Sequence, residues 1–159
     1  TGNVADVALK PGHYHAFVEL HIEQGPRLEA AGVPIGVVSA VAAPATLRLT
    51  LTGSGGHAGA VLMPERRDAL TAGAEIALAV EDAAQSTGAP DSVATVGIFD
   101  VEPRAVNSIP NRVVLTADVR DTDLGRRDGM VRRIREAAAA VSERRGVGLE
   151  LNLINADPP

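Results

Sequence analysis

From Thr46 the chain alternates strictly with a period of two: Leu47, Leu49 and Leu51 interleave with Thr46, Arg48, Thr50 and Thr52. In a strand successive side chains point to opposite faces, so this stretch needs a core on one side and tolerates water on the other. The segment 112–121 repeats the pattern, with Val113, Leu115, Ala117 and Val119 on one face and Arg112, Thr116, Asp118 and Arg120 on the other. Between the two the period changes. Leu70, Gly73, Ala74, Ala77, Val80 and Ala84 share a stripe at helical spacing, with Thr71, Glu75, Asp82 and Gln85 away from it. Pro64 and Glu65 read as the opening of that helix, and Gly88 and Pro90 as its end. Val93 to Val101 reads as a further strand. After Asp121, Thr122 or Asp123 can cap a second helix whose Val131, Ile134, Ala138 and Val141 face inward as far as Gly146. Leu149, Leu151 and Leu153 make the last strand. The order strand, helix, strand, strand, helix, strand predicts an α+β, ferredoxin-like βαββαβ unit: a four-stranded antiparallel sheet with both helices on one face. Its second strand then lies at an edge. Residues 93–99 carry no charge and no Pro, so none of the usual guards against edge pairing is visible there, and pairing with a twofold mate is expected.

The first forty or so residues differ in character. Phe-Val-Glu-Leu-His-Ile-Glu-Gln-Gly-Pro at 17–26, if extended, puts Glu19, His21 and Glu23 on one face and Val18, Leu20 and Ile22 on the other. An imidazole between two carboxylates suits a divalent cation, yet a closed site needs three to five donors, and a half-buried strand with a solvated polar face accounts for the same alternation. A short helix at 27–31 comes next, ended by Gly32 and Pro34, and then an apolar run at 35–42. Ala43-Pro44 is read as the boundary between this segment and the regular pattern that begins at Thr46.

Composition removes several classes of function. The net charge is -5, and Lys10 is the only lysine, which argues against a nucleic-acid partner. The Arg residues are interleaved with Asp and Glu and read as solvated faces. Three aromatics, Tyr14, Phe17 and Phe99, leave the core to Leu, Ile, Val and Ala and provide no stacking platform for bases. The absence of cysteine excludes disulfides and thiolate metal sites and fits a reducing, cytoplasmic setting. No apolar run reaches the length of a bilayer span.

Taken alone, the polar candidates each have two accounts. His57 sits in Thr-Gly-Ser-Gly-Gly-His-Ala-Gly, either as a site residue on a permissive loop or as an exposed turn residue. Arg120, with Asp118 and Asp121 beside it, is either an anion fork or half of a surface ion pair. Asn107 precedes Ser-Ile-Pro and suits an Asx-type turn.

Five segments in order, Glu-Leu-His-Ile-Glu-Gln-Gly-Pro at 19–26, Gly-Gly-His-Ala-Gly at 55–59, Arg-Arg-Asp-Ala-Leu at 66–70, Asn-Ser-Ile-Pro-Asn-Arg at 107–112 and Asp-Val-Arg-Asp at 118–121, resemble the hydantoinase/carbamoylase family of two-metal amidohydrolases. That family is related to the aminoacylase and glutamate-carboxypeptidase metallopeptidases. Within it, His-Ala-Gly-Ala-Val-Leu-Met-Pro at 57–64 and Ile-Asn-Ala-Asp-Pro-Pro at 154–159 look most like ureidoglycolate amidohydrolases. At 159 residues the chain is shorter than a complete enzyme of that kind and reads as a piece of one. The resemblance implies residues 1–43 as a partial metal-binding catalytic segment, 44–156 as a lid and dimerisation domain, and 157–159 as the start of a return to the catalytic domain.

It also implies roles. His21 would be a metal ligand, Gln24 would hydrogen-bond the substrate, His57 would polarise the scissile carbonyl from the neighbouring subunit of a homodimer, and Asn107 and Arg120 would hold the substrate carboxylate. Glu19 and Glu23 are not ligands in the family pattern. The implied enzyme uses two divalent metal ions, Mn or Zn with Co or Ni as alternatives, to hydrolyse a linear amide or ureido bond of a small carboxylate. Ureidoglycolate is the leading substrate and carbamoyl-amino acids or allantoate are the runners-up. No general base and no other metal ligand matches in this chain, so the isolated segment is expected to be inactive and to bind no stoichiometric metal. A non-enzymatic ferredoxin-like module that dimerises or senses a small ligand is the contrasting reading.

Overall fold

A computed structural model describes residues 4–156, which fall into two units divided between Val38 and Ser39. In the first unit the five-residue helix α1, Arg27–Ala31, ends on Gly32 at φ 65°, the left-handed turn that glycine adopts without a Cβ penalty. Residues 17–23 form no strand, contrary to the alternation. Phe17, Val18, Leu20 and Ile22 are all more than three-quarters exposed, because no second strand pairs with this stretch among the described residues. Extended backbone without a partner leaves its amide and carbonyl groups to water, and alternation alone cannot replace the missing ladder. The apolar run at 35–42 is likewise irregular and largely exposed.

The second unit is the expected α+β sheet and helix pair. Its strands are β1 (Ala43–Thr52), β3 (Val93–Glu102), β5 (Arg112–Asp121) and β6 (Gly148–Ala156), hydrogen-bonded antiparallel in the order β3-β5-β1-β6. A separate two-residue ribbon pairs β2 (Gly56–His57) with β4 (Ser108–Ile109). Helices α2 (Ala69–Gln85) and α3 (Leu124–Arg145) share one core cluster with the sheet. Leu47, Leu49 and Leu51 of β1 and Val113, Leu115, Ala117 and Val119 of β5 are fully buried in it. β1 begins at Ala43, earlier than the alternation suggested. Pro44 is tolerated there because it pairs with Arg120 alone, before β6 joins at Ala45, so no ladder donor is lost on that side.

Helix α2 starts at Ala69 and not at Pro64, since the Asp68 side chain accepts from the amides of Leu70 and Thr71 and supplies the N-cap. Pro64 lies in a single 3₁₀ turn, Met63–Glu65. The buried face of α2 is Ala69, Ala72, Gly73, Ile76, Val80, Ala83 and Ala84, rotated from the expected stripe, while Ala74 is exposed. With alanine all around the helix, the period cannot choose a face. Gly73 lies on both stripes, at a close approach where a Cβ would lie 3.0 Å from Phe99 and 3.1 Å from Val113, and burial of Ala72, Ile76 and Ala83 marks the rotation. Asp123 caps α3 by accepting from Arg126 N–H, and Gly146 closes that helix at φ 63°. The edge strand β3 carries a feature the sequence did not reveal, a β-bulge between Val96 and Ile98.

Asp121 is fully buried at the end of β5. Its carboxylate accepts from Asp123 N–H at 2.8 Å, from both Arg126 Nε at 3.1 Å and Nη2 at 2.6 Å, and from the hydroxyl of Ser92 at the mouth of β3. One side chain thus joins two strands to the first turn of α3. Burial pushes its carboxyl up, but the Arg126 fork, Ser92 and the Asp123 amide together outweigh burial and hold it below the usual carboxylate range. A carboxyl depressed in the folded state contributes stability that is complete above its unfolded value near ~4 and disappears as pH falls through the lower folded value. Asp121→Asn is expected to cost roughly 2 kcal/mol at pH 7 in urea unfolding. The difference in stability between pH 7 and pH 3 should narrow in the variant by the share that Asp121 supplies.

Candidate functional site

In the first unit, the ring of His21 is fixed by its own backbone: Nδ1 lies 2.6 Å from the carbonyl of Ile22. A carbonyl only accepts, so Nδ1 carries a proton, and in the neutral ring Nε2 keeps the lone pair that a metal ligand needs. Glu23 is spent differently. Its two oxygens accept from the amides of Arg27 and Leu28, both at 2.9 Å, which makes it the cap of α1. Gln24 stands at φ 56°, an uncommon position for a residue with a long side chain. Among the described residues no three His, Asp or Glu side chains gather as a cation would require, so the residues present do not by themselves fit a two-metal centre.

In the second unit His57 is exposed on β2 and faces Ser108 of β4. Asn107 is next to that pair, and its carbonyl accepts from Ala58 N–H at 2.9 Å. The ribbon therefore brings His57 and Asn107 together. His57 Nδ1 accepts from Gly59 N–H at 3.1 Å, which in the neutral ring leaves the proton on Nε2 as a donor. The two candidate histidines hold opposite tautomers, one suited to accepting a cation and the other to donating to an oxygen.

Arg66 holds the turn that carries His57. Its guanidinium donates to the carbonyls of Val61, at 3.0 Å, and Ala58. Reading the residues one by one misses this function, although Arg66 opens the Arg-Arg-Asp-Ala-Leu segment. At the root of the loop, Gly53 N–H donates to Asn111 at 2.8 Å and Ser54 N–H donates to Arg67 at 3.2 Å. A Cβ at Gly53 would lie 2.0 Å from the Arg67 carbonyl oxygen, so only glycine lets the two backbones pass.

Arg120 lies elsewhere in the sheet. It is exposed on the face away from the helices, where Nε donates to Asp118 at 2.6 Å. Arg112, at the start of the same strand, is beside the ribbon, and the eight steps from it to Arg120 span about 26 Å. Two clefts on this unit, one of about 560 Å³ beside Gln85 and Ser92 and one of about 450 Å³ beside Arg67 and Arg145, are lined by none of His57, Asn107 and Arg120. Within one copy of the unit these residues stand at opposite ends of β5.

Residues 44–145 match the peptidase dimerisation domain. The chain belongs to that family, in the form found in hydantoinase/carbamoylase amidohydrolases. It is 52% identical over 155 residues to a ureidoglycolate hydrolase of Oryza sativa subsp. japonica, covering 97% of this chain and 32% of the relative. A crystal structure of AtUAH in complex with glyoxylate superposes with a TM-score of 0.90 at 52% identity, over 94% of this chain and 36% of that one. A hydantoinase/carbamoylase family amidase from Burkholderia multivorans gives a TM-score of 0.82 at 37% identity, over 86% of this chain and 33% of that one. The chain thus spans about a third of the length of the relatives it matches. Among the described residues no helix is long and apolar enough to cross a membrane.

For this dimerisation domain, Gly53→Ala is expected to destabilise by about 1–3 kcal/mol or more through forced separation of two backbones. Gly129→Ala on α3, where the nearest atom to a new Cβ is 4.0 Å away, is expected to stabilise by roughly 0.5–1 kcal/mol. Thermal and urea unfolding of the pair measures both.

Proposed function

We propose that this chain is the substrate-binding and dimerisation part of a metal-dependent amidohydrolase that cleaves linear amide or ureido C–N bonds of small carboxylates, with ureidoglycolate as the substrate. One observation carries the reading: His57, on the β2–β4 ribbon beyond the Arg112 end of β5, and Arg120, at the other end of that strand, are far apart within one copy. A single copy cannot bring them to one small molecule, whereas a twofold pair can. The 52% identity to a ureidoglycolate hydrolase supports the choice of substrate. In the complete enzyme Arg120 grips the substrate carboxylate as a two-pronged donor, Asn107 and Gln24 supply amide hydrogen bonds that orient it, and His57 donates from Nε2 to the carbonyl oxygen as negative charge develops there. Divalent cations, when bound, supply an acidified water and Lewis acidity, and His21 offers one ligand for them. The isolated chain is inactive because its own residues do not complete that centre.

Replacing His57 by Ala in the complete enzyme is expected to lower kcat roughly a hundredfold, the scale for loss of one oxyanion donor. Arg120→Lys keeps the charge and loses the fork, so KM for carboxylate substrates rises strongly while metal content stays constant. Mixing His57→Ala subunits with His21→Ala subunits is expected to restore part of the activity, since one of the two sites in a mixed dimer then has both histidines. Mixtures as inactive as either parent would exclude delivery of His57 across the interface. Sedimentation equilibrium of the 159-residue chain is expected to give a dimer that Val96→Lys on the β3 edge shifts toward monomer.

A further inference from the structure

The geometry points to the bulge at Gly97 as the feature that sets the register in which β3 pairs with a second copy of this chain, an inference that rests on the twofold dimer proposed above. β3 is an edge strand, bonded to β5 on one side only. Val96 pairs with Ala117 and Ile98 with Thr116, which are neighbours on β5, so Gly97 is the inserted residue. The insertion reverses the alternation. Ala94 and Val96 pack toward the core before it and Phe99 and Val101 after it, which leaves Val93, Thr95, Ile98, Asp100 and Glu102 on the opposite face.

Antiparallel partners set residues of like facing opposite each other. A regular strand meets that condition at every two-residue shift, so it specifies its register weakly. The bulged strand is more selective. A twofold axis between Gly97 and Ile98 sets Ala94 opposite the partner's Val101 and Val96 opposite the partner's Phe99 on the helix side. On the other side it sets Thr95 opposite the partner's Asp100 and Val93 opposite the partner's Glu102. All ten residues of β3 are then paired with like faces together. Moving the axis one residue toward the C-terminus opposes Ile98 to the partner's Phe99, which face opposite ways. Moving it the other way leaves Val101 and Glu102 unpaired.

Glycine at position 97 agrees with this placement. A Cβ there would meet nothing within 4 Å, and Gly97 is not among the residues with positive φ, so neither packing nor backbone conformation within the chain requires it. Close approach of a second backbone at the axis is the requirement that remains.

The register has a consequence for the site. Arg112 pairs with Glu102, and Arg120 pairs with Val93. With Glu102 opposite the partner's Val93, the row from Arg112 to the partner's Arg120 crosses three strand spacings, about 14 Å, on the face away from the helices. The partner's Arg120 then stands at the end of the joined sheet where the ribbon carries His57 and Asn107. A two-residue slip would displace it by about 7 Å.

The chain has no cysteine, so introduced thiols read the register without background. Opposed residues on paired strands have Cα separations of about 4.5–5.5 Å, within disulfide reach. Val93→Cys with Glu102→Cys in the 159-residue chain is expected to give a covalent dimer on mild oxidation, while either single variant gives none. Val93→Cys with Asp100→Cys, which matches a two-residue slip, should give roughly tenfold less or lower. Deleting Gly97 keeps both halves of β3 on β5, because Ala117 and Thr116 are adjacent, and is expected to allow both cysteine pairs to cross-link. Cross-linking confined to the slipped pair, or selectivity unchanged by the deletion in a variant that keeps its circular dichroism, overturns the register. Ultracentrifugation of the unaltered chain separates this from failure of the dimer, since a strictly monomeric chain removes both.

Discussion

The second unit depends on the burial of β1. It is hydrogen-bonded on both sides, to β5 over its whole length and to β6 from Ala45 onward, and Ala43, Ala45, Leu47, Leu49 and Leu51 are all fully buried. Truncating one of these leucines to Ala would cost about 2–5 kcal/mol, a large part of the marginal stability of a domain this size. With few aromatics available, the core closes by bringing small residues near. Ala69, Ala72, Gly73, Ala83 and Ala84 let α2 lie close to the sheet, and Phe99 fills the space at Gly73. The polar faces of the strands are left over by this arrangement, and the candidate residue Arg120 stands on one of them.

The core also fixes what lies at its margins. β1 ends at Thr52, and the next residue, Gly53, passes the Arg67 carbonyl so closely that the His57 loop leaves the sheet in one direction. Arg66 braces that loop from within, and the β2–β4 ribbon with the Ala58 to Asn107 bond holds it to the connection carrying Asn107. At the other end of the sheet Asp121 gathers Ser92, Asp123 and Arg126. That cluster anchors the start of β3 beside Arg120, because Val93 pairs with Arg120 directly. Each end of the sheet therefore has its own polar lock beside a candidate binding residue.

Much of this was legible in the sequence wherever periodicity and burial coincide. The alternation at 112–121 gives β5 to the residue, and Asp123 and Gly146 give the ends of α3. The stretch at 17–23 was misread because alternation reports which side of a strand would be buried, not whether a neighbouring strand exists. The buried face of α2 is not legible from its period, because alanine occupies both sides of the helix and Gly73 lies on both candidate stripes. The Asp121 cluster has no local signature, since Ser92 is 29 residues away. For the candidate site, the family resemblance carried by the ordered motifs implied His21, Gln24, His57, Asn107 and Arg120. It did not supply the opposed tautomers of the two histidines or the separation of Arg120 from the ribbon, both of which come from backbone geometry.

The sheet has a second edge, β6, and there too the ladder is interrupted: Leu153 pairs with Leu47 and Asn155 with Thr46, so Ile154 is an extra residue that swings outward, 60% exposed. An interruption near the middle of a strand, as in β3, can be matched about a twofold axis, whereas this one lies two residues from the end of β6 and has no such match. A subunit with two receptive edges would be a monomer unit for a polymer, adding copies at either end until it left solution. In the dimer proposed above, the β6 edge would act as a chain terminator: growth through β3 would use both receptive edges in one event, and the product would have none left to extend.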